Sequence, residues 1–216
     1  MIAVQPFLRL MMDTVTAVKA PKRGRSRLSI YLNGTFAFSL EKEVVRRHGL
    51  HPGQLLSEGE LHDLRKADLL HRCLEAALRL LSYRPRSEME MRRRLSLRFE
   101  GETVDKVVSQ LKQRQLLDDA AFARFWKENR EAFRPRSSKL LEQELRGKGV
   151  DSEVVSQALM GVDDDELAHR AAQKKGRNLE KDYDVFRRKL GAYLVRRGFS
   201  YEVANRTVQR VWRELS

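Results

Sequence analysis

The strongest constraint on the fold of this chain is an internal repeat. Arg84-Pro85-Arg86-Ser87 returns as Arg134-Pro135-Arg136-Ser137, a shift of 50 positions (134 − 84), and Met91 and Leu95 return at the same shift as Leu141 and Leu145. The second copy continues through Leu145-Arg146-Gly147-Lys148-Gly149-Val150 and Glu153-Val154-Val155. Leu194-Val195-Arg196-Arg197-Gly198-Phe199 and Glu202-Val203-Ala204 echo it at a shift of 49 (194 − 145). Three units therefore follow one another. A period in this range marks an array of supersecondary units that bury their apolar faces against their neighbours.

Each unit reads as three helices. Leu69, Leu70, Cys73, Leu74, Ala77, Leu80 and Leu81 recur at steps of three and four, the spacing of one helical face. Cys73 lies inside that stripe and reads as a small core hydrophobe. Second helices are predicted to start at Ser87, Ser137 and Asp184. Ser87 with Glu90 forms a capping box, and the prolines stand just outside the starts, where a missing N–H costs nothing. Third-helix stripes are Val104, Val107, Val108 and Leu111; Val154, Val155, Ala158 and Leu159; and Val203, Ala204, Val208 and Val211. The predicted fold is mainly α: three tandem three-helix repeats in an elongated, curved array.

A small β-hairpin/helix module precedes the repeats. Leu28, Ile30 and Leu32 alternate with polar residues before Asn33-Gly34, and Phe36, Phe38 and Leu40 alternate after it. Asn-Gly suits the two positive φ angles of a type I′ turn, and a period of two puts the six apolar side chains on one face. Val15 to Val18 is expected as a third strand. Glu41 to His48 and a segment capped by Ser57 are expected as covering helices, since a hairpin alone is marginal. The expected divisions are a disordered start at 1–12, the β module at 13–60, and repeats at 61–117, 118–163 and 164–216.

Charge narrows the function. Lys and Arg number 43 against 30 Asp and Glu, a net charge of +13, which favours a polyanionic partner. A single cysteine excludes an internal disulfide or a cysteine-based zinc finger and fits a reducing, cytoplasmic setting. The apolar start, broken by Arg9, is too short for a membrane span. His48 and His51 have no acid or thiol nearby to complete a metal set. Asp118-Asp119 and Asp163-Asp164-Asp165 stand before helical stripes, where aspartate caps a helix and complements its dipole. Their rival role is as ligands of a metal-dependent nuclease. No phosphate loop or nucleophile elbow is present, so no catalyst, metal or cofactor is expected.

The remaining candidates are cations at comparable places in each unit: Arg84, Arg86, Arg92, Arg93 and Arg94; Arg134, Arg136, Lys139, Arg146 and Lys148; and Arg187, Arg188, Arg196 and Arg197. A recurring set would line one ridge or groove and suit phosphates or an acidic protein surface equally well. Phe122, Phe125 and Trp126 are read as core before base stacking.

At this point the chain resembles the RecX family of bacterial regulatory proteins. The resemblance rests on the stretch from Arg86-Ser87-Glu88 to Arg93-Arg94-Leu95, on Leu117-Asp118-Asp119 followed by Phe122, and on the turns Lys148-Gly149-Val150 and Arg197-Gly198-Phe199. It implies a monomeric non-enzyme of three three-helix repeats that binds the groove of the RecA–DNA filament and modulates, foremost inhibits, its ATPase, strand exchange and coprotease roles. It also implies binding to single- and double-stranded DNA. The alternative is a free-standing DNA-binding protein whose three-helix units dock in grooves. The strand-rich start is like the extension of longer members; it is expected to dock on the array, to touch DNA through Lys22, Arg23, Arg25 and Arg27, or to do neither.

Overall fold

Asn33 and Gly34 both take positive φ, 49° and 83°, and close the hairpin between β2 (Arg27–Leu32) and β3 (Thr35–Glu41). This is the turn that Asn-Gly favours, because its twist matches that of the strands it joins. The computed structural model describes residues 12–20, 27–179 and 182–215. The expected disorder of the start and the basic residues Lys22, Arg23 and Arg25 fall outside these, apart from Met12, which opens β1. Two units make up the chain: one runs to Ser82 and includes Arg94–Gln110, and the other holds Tyr83–Arg93 and the residues from Leu111 onward.

In the first unit, β1 (Met12–Lys19) and β4 (Leu55–Ser57) join the hairpin in an antiparallel sheet of order β3-β2-β1-β4. The expected third strand is thus present. One detail departs from strict alternation. Ile30 pairs with Phe38 but Tyr31 pairs with Phe36, so Ala37 is an extra residue on β3. A one-residue slip reverses every side chain beyond it. Phe36 is therefore 58% exposed, edge-on to Tyr31, instead of joining the other five residues on the inner face.

Helix α1 (Lys42–Arg47) contributes Val44 and Val45, and α2 (Glu58–Tyr83) contributes Leu61 and Leu64, to a core with Val15, Ile30, Leu32, Leu40, Leu50 and Leu56. The Ser57 hydroxyl and the Glu60 carboxylate cap α2 reciprocally. Asp68, buried on the inner side of α2, accepts from the Glu41 N–H at 2.7 Å and from both terminal nitrogens of Arg27 at 3.3 and 3.1 Å. Arg27 also pairs with Glu41 at 3.1 Å. This arginine is a rivet between sheet and helix.

Helix α2 crosses position 60 without a break, so the β module and the first repeat share one helix. Its second half buries Cys73 and Ala77, and burial pushes the Cys73 thiol up to about 11, as befits a core side chain. Helices α3 (Glu88–Leu95) and α4 (Gly101–Gln113) complete the first repeat, with Val104, Val107, Val108 and Leu111 all buried.

The second repeat comprises α5 (Asp119–Phe133), α6 (Ser138–Gly147) and α7 (Ser152–Leu159) around Phe122, Ala123, Leu145, Val150 and Val155. The third comprises α8 (Asp164–Gly176), α9 (Tyr183–Val195) and α10 (Tyr201–Leu215) around Leu167, Phe186, Leu190, Leu194, Phe199 and Val208. The chain is thus mainly helical, with ten helices among the described residues, as the periodicity predicts.

Successive second helices are tied to the following unit in the same way. Asp118 caps its own helix through the Ala120 and Ala121 N–H groups, while Asp119 reaches back and accepts from the Glu88 N–H of α3 at 2.8 Å. Asp163 likewise caps α8, and Asp164 accepts from the Ser138 N–H of α6 at 2.7 Å. Each aspartate pair therefore caps two helices, one in its own unit and one in the unit before. A glycine turn completes each joint. The Ser87 hydroxyl donates to the Lys148 carbonyl at 2.6 Å, and the Ser137 N–H donates to the Arg197 carbonyl at 3.0 Å. Gly149 (φ 77°) and Gly198 (φ 88°) follow those carbonyls.

The third repeat departs from this pattern. Its second helix starts at Tyr183, with Asp182 as its cap in place of the predicted Asp184, and Phe186 fills the core at the position of Ser87 and Ser137.

Two substitutions test these supports. Asp68→Ala leaves a buried N–H and a guanidinium without their acceptor, and thermal melting should show a loss of about 2–4 kcal/mol. A Cβ at Gly198 would lie 2.5 Å from Ser137 Oγ and 2.8 Å from Leu140 Cβ, whereas at Gly161 (φ 75°) it would meet nothing within 4 Å. Gly161→Ala should cost only the left-handed backbone strain of about 1–2 kcal/mol, and Gly198→Ala about 1–3 kcal/mol more, as read by denaturant unfolding.

Candidate functional site

The recurring cations divide into two groups according to what holds them. In the joints, the Arg84 guanidinium makes a two-pronged pair with Glu90 at 2.9 and 3.1 Å and donates to the Pro85 carbonyl. Lys148 reaches Glu90 at 2.8 Å from the next repeat and lies 4.2 Å from the centre of the Trp126 ring. Arg136 and Arg130 share the Glu144 carboxylate, which also accepts from the Trp126 indole N–H at 2.7 Å. Arg197, equivalent to Lys148, donates to the Pro135 carbonyl at 2.9 Å and stacks over Tyr193. Arg92 pairs with Glu88, and Arg146 with Glu142, one helical turn away. Arg86 is half-buried and engaged as well.

These are structural positions first. Buried or partly buried charges persist only with partners, and carboxylates and aromatic rings supply them here. Electrostatics at Glu90 shows how tight the joint is. Burial alone would raise its carboxyl, but the hydrogen bonds from Arg84 and Lys148 outweigh that and hold it down at about 2. Asp119 shifts upward, because burial there exceeds the stabilisation from the Glu88 N–H.

The second group has no carboxylate in ion-pair range among the described residues: Arg93, Arg94, Arg134, Lys139, Arg187, Arg188 and Arg196, all exposed. Three of them converge. Arg187, Arg188 and Arg196 border a cleft of about 710 Å³ between α9 and α10, whose lining also includes Gly191, Val195 and Tyr201. The sequence places these arginines in one repeat; only the fold brings them around one opening.

The aromatic side chains divide into buried and exposed sets. Phe122 is core and Trp126 is half-buried, as expected, but Tyr83, Phe133 and Tyr201 are 78%, 74% and 76% exposed. Tyr83 and Phe133 each stand immediately before an Arg-Pro-Arg-Ser copy, so the same shift of 50 that reveals the repeat also marks this pair. Tyr201 opens α10 and carries no comparable sequence signal. His48 and His51 are exposed. Of the aspartates weighed as metal ligands, Asp118, Asp119, Asp163 and Asp164 are capping groups, and Asp165 pairs with Arg206 at 2.9 Å.

Comparison with known proteins bears on this arrangement. Residues 13–57 match the family model for the regulatory protein RecX N-terminal domain, and residues 73–111, 118–159 and 163–208 match those of the first, second and third RecX three-helix domains, in that order. The chain belongs to the RecX family of regulatory proteins. A relative named regulatory protein RecX from Clostridium beijerinckii is 27% identical over 207 residues, covering 93% of this chain and 96% of its own. Another of that name from Listeria welshimeri is 26% identical, covering 88% and 72%. A crystal structure of regulatory protein RecX superposes with a TM-score of 0.63 at 26% identity, over 88% of this chain and 96% of that one. RecX from Lactobacillus salivarius shares the fold, with a TM-score of 0.56 at 23% identity over 67% of this chain and 97% of that one. No described helix is long and apolar enough to cross a membrane.

The joint around Glu90 makes a pH prediction. Its folded value lies below the ordinary 4.5, so its stabilising contribution is complete above that pH and is lost as pH falls toward 2. Glu90→Gln should be less stable than the parent by about 2 kcal/mol at pH 6, allowing for solvent screening, with the gap closing toward pH 2 in denaturant titrations.

Proposed function

We propose that this protein is a non-enzymatic regulator of homologous recombination and DNA repair, which binds along the groove of the RecA–DNA filament and lowers its ATPase, strand-exchange and coprotease activities. The observation that carries this reading is the ordered match of all four RecX domains along one chain. The physical mechanism is bridging. A series of joined repeats that contacts several filament subunits favours whichever subunit arrangement it fits best, and a ligand shifts such an equilibrium only by its differential affinity for the two states. Preference for a hydrolysis-incompetent arrangement lowers turnover without chemistry. The contacts are assigned to the exposed cations without carboxylate partners, Arg93, Arg94, Arg134, Lys139, Arg187, Arg188 and Arg196, in preference to those held in the joints. The protein acts as a cytoplasmic monomer and needs no metal or cofactor.

A second reading, a free-standing DNA-binding protein, draws on the cleft bordered by Arg187, Arg188 and Arg196. It requires affinity for naked DNA comparable to that for the filament, with a steep salt dependence.

Cosedimentation with RecA filaments beside DNA alone, across a salt series, separates the two. The expected result is preferential recovery with filaments and a fall in ATP turnover when the protein is added to preformed filaments. Unchanged turnover at saturating protein would refute the inhibitory mechanism. Replacing Arg93, Arg94, Arg134 and Lys139 together by Gln should weaken filament binding at least tenfold while leaving the melting temperature within a few degrees.

A further inference from the structure

Helix α4 begins without a side-chain cap. Its first internal bond runs from the Val104 N–H to the Glu100 carbonyl at 3.0 Å, and the N–H groups of Gly101, Glu102 and Thr103 have no acceptor among the described residues. At α2, α3 and α5 to α10 a Ser or Asp side chain takes such a donor. Beside the bare start lies a crease of about 250 Å³ between α4 and α2. Thr103 lines it and is only 8% exposed, yet its hydroxyl has no partner among the described residues. No described side-chain polar atom is sealed from solvent without a partner, so this hydroxyl opens onto the crease.

Lys66 and Lys106 flank the Glu102 carboxylate at 3.5 and 2.5 Å. The Arg65 guanidinium lies 5.1 Å from the centre of the Phe38 ring, a contact that engages its flat face and leaves its in-plane N–H groups available. Glu100 and Glu102 are the acidic residues on the lining, so the balance is positive, with His62 beside them. Bare N–H groups and an inward hydroxyl select an anion. These donors are more than the two oxygens of a carboxylate can accept, and they suit the terminal oxygens of a phosphate. A nucleic-acid strand would press its neighbouring phosphates against Glu100 and Glu102. A small phosphate ester has no such neighbours, and the half-buried Leu69 and Leu70 offer its organic part an apolar floor. We propose that the crease between α2 and α4 binds a small phosphate monoester, its phosphate held by the first N–H groups of α4, the Thr103 hydroxyl, Arg65 and Lys66. None of the cations assigned to the filament lines it, so the site stands or falls separately from the proposed regulatory role.

The test is a titration of the ¹⁵N-labelled full chain, followed by amide NMR, with phenyl phosphate, inorganic phosphate, benzoate and oligothymidylate. Phenyl phosphate should move the Gly101, Glu102 and Thr103 amides saturably and raise the melting temperature. It should bind about tenfold tighter than benzoate, which has the same ring on a carboxylate. Thr103→Val keeps the branched shape and removes a hydroxyl that has no partner to lose; it should weaken phenyl phosphate about tenfold without lowering the melting temperature of the free protein. Thr103→Ser should retain binding. Absence of saturable movement at these amides, equal affinity for benzoate, or indifference to Thr103→Val overturns the proposal. Inorganic phosphate binding as tightly as the ester would overturn the assignment of an organic part. Oligothymidylate moving the same amides at lower phosphate concentration would make the crease part of a nucleic-acid surface and overturn it as well.

Discussion

At the start of two successive second helices, a backbone donor that the helix's own serine cap does not take is met by a carboxylate from the next repeat, and the series of repeats depends on this interaction. The first N–H groups of a helix have no partner within it. At α3 and α6 one of these donors is met by Asp119 and Asp164, each belonging to the following unit. Because the adjacent Asp118 and Asp163 cap their own helices, two consecutive aspartates serve two units at once. Close approach of the glycine turn to the same helix start is the steric half of the joint. Gly149 and Gly198 need a left-handed backbone and also lie where any side chain would collide with Met89 or with Ser137 and Leu140.

The joints determine which charges are left for ligands. Arg84 and Arg136 pair with Glu90 and Glu144 of their own repeats, while Lys148 and Arg197 reach back to Glu90 and the Pro135 carbonyl of the preceding one and so contribute to cohesion between repeats. The recurring positive residues thus fall into two structural groups, those held by partners at or beside the joints and those exposed without a carboxylate partner among the described residues. The cations without such partners are spread over the exposed faces of the repeats, and three of them, Arg187, Arg188 and Arg196, border one cleft in the third repeat. The terminal repeat also caps α9 with its own Asp182 and buries Phe186 where its predecessors place a serine.

Much of the fold was legible because short-range signals and tertiary packing agree. The Arg-Pro-Arg-Ser copies, the helical stripes, the Asn33-Gly34 turn and the Ser57–Glu60 capping box all depend on local geometry, and all stand where the pattern puts them. The departures have causes that the local pattern does not carry. Perfect alternation predicted Phe36 in the core, but the extra residue at Ala37 reverses the face, and a bulge leaves no mark on hydrophobic periodicity. The structural role of Arg27 is not visible along the chain, because its partner, Asp68, is 41 residues away. The aspartate pairs were rightly read as caps; that the second of each pair caps the preceding unit depends on how neighbouring units pack.

By itself the amino-acid sequence determined the number of repeats, their helical character, the β-hairpin before them and the sign of the surface charge, since each follows from residue spacing or composition. Only the tertiary structure decided which cations are bound into joints and which stay open, and that Tyr201 and three arginines border one cleft. Those outcomes depend on which groups meet through space across tens of residues, a relation that no local pattern along the chain encodes.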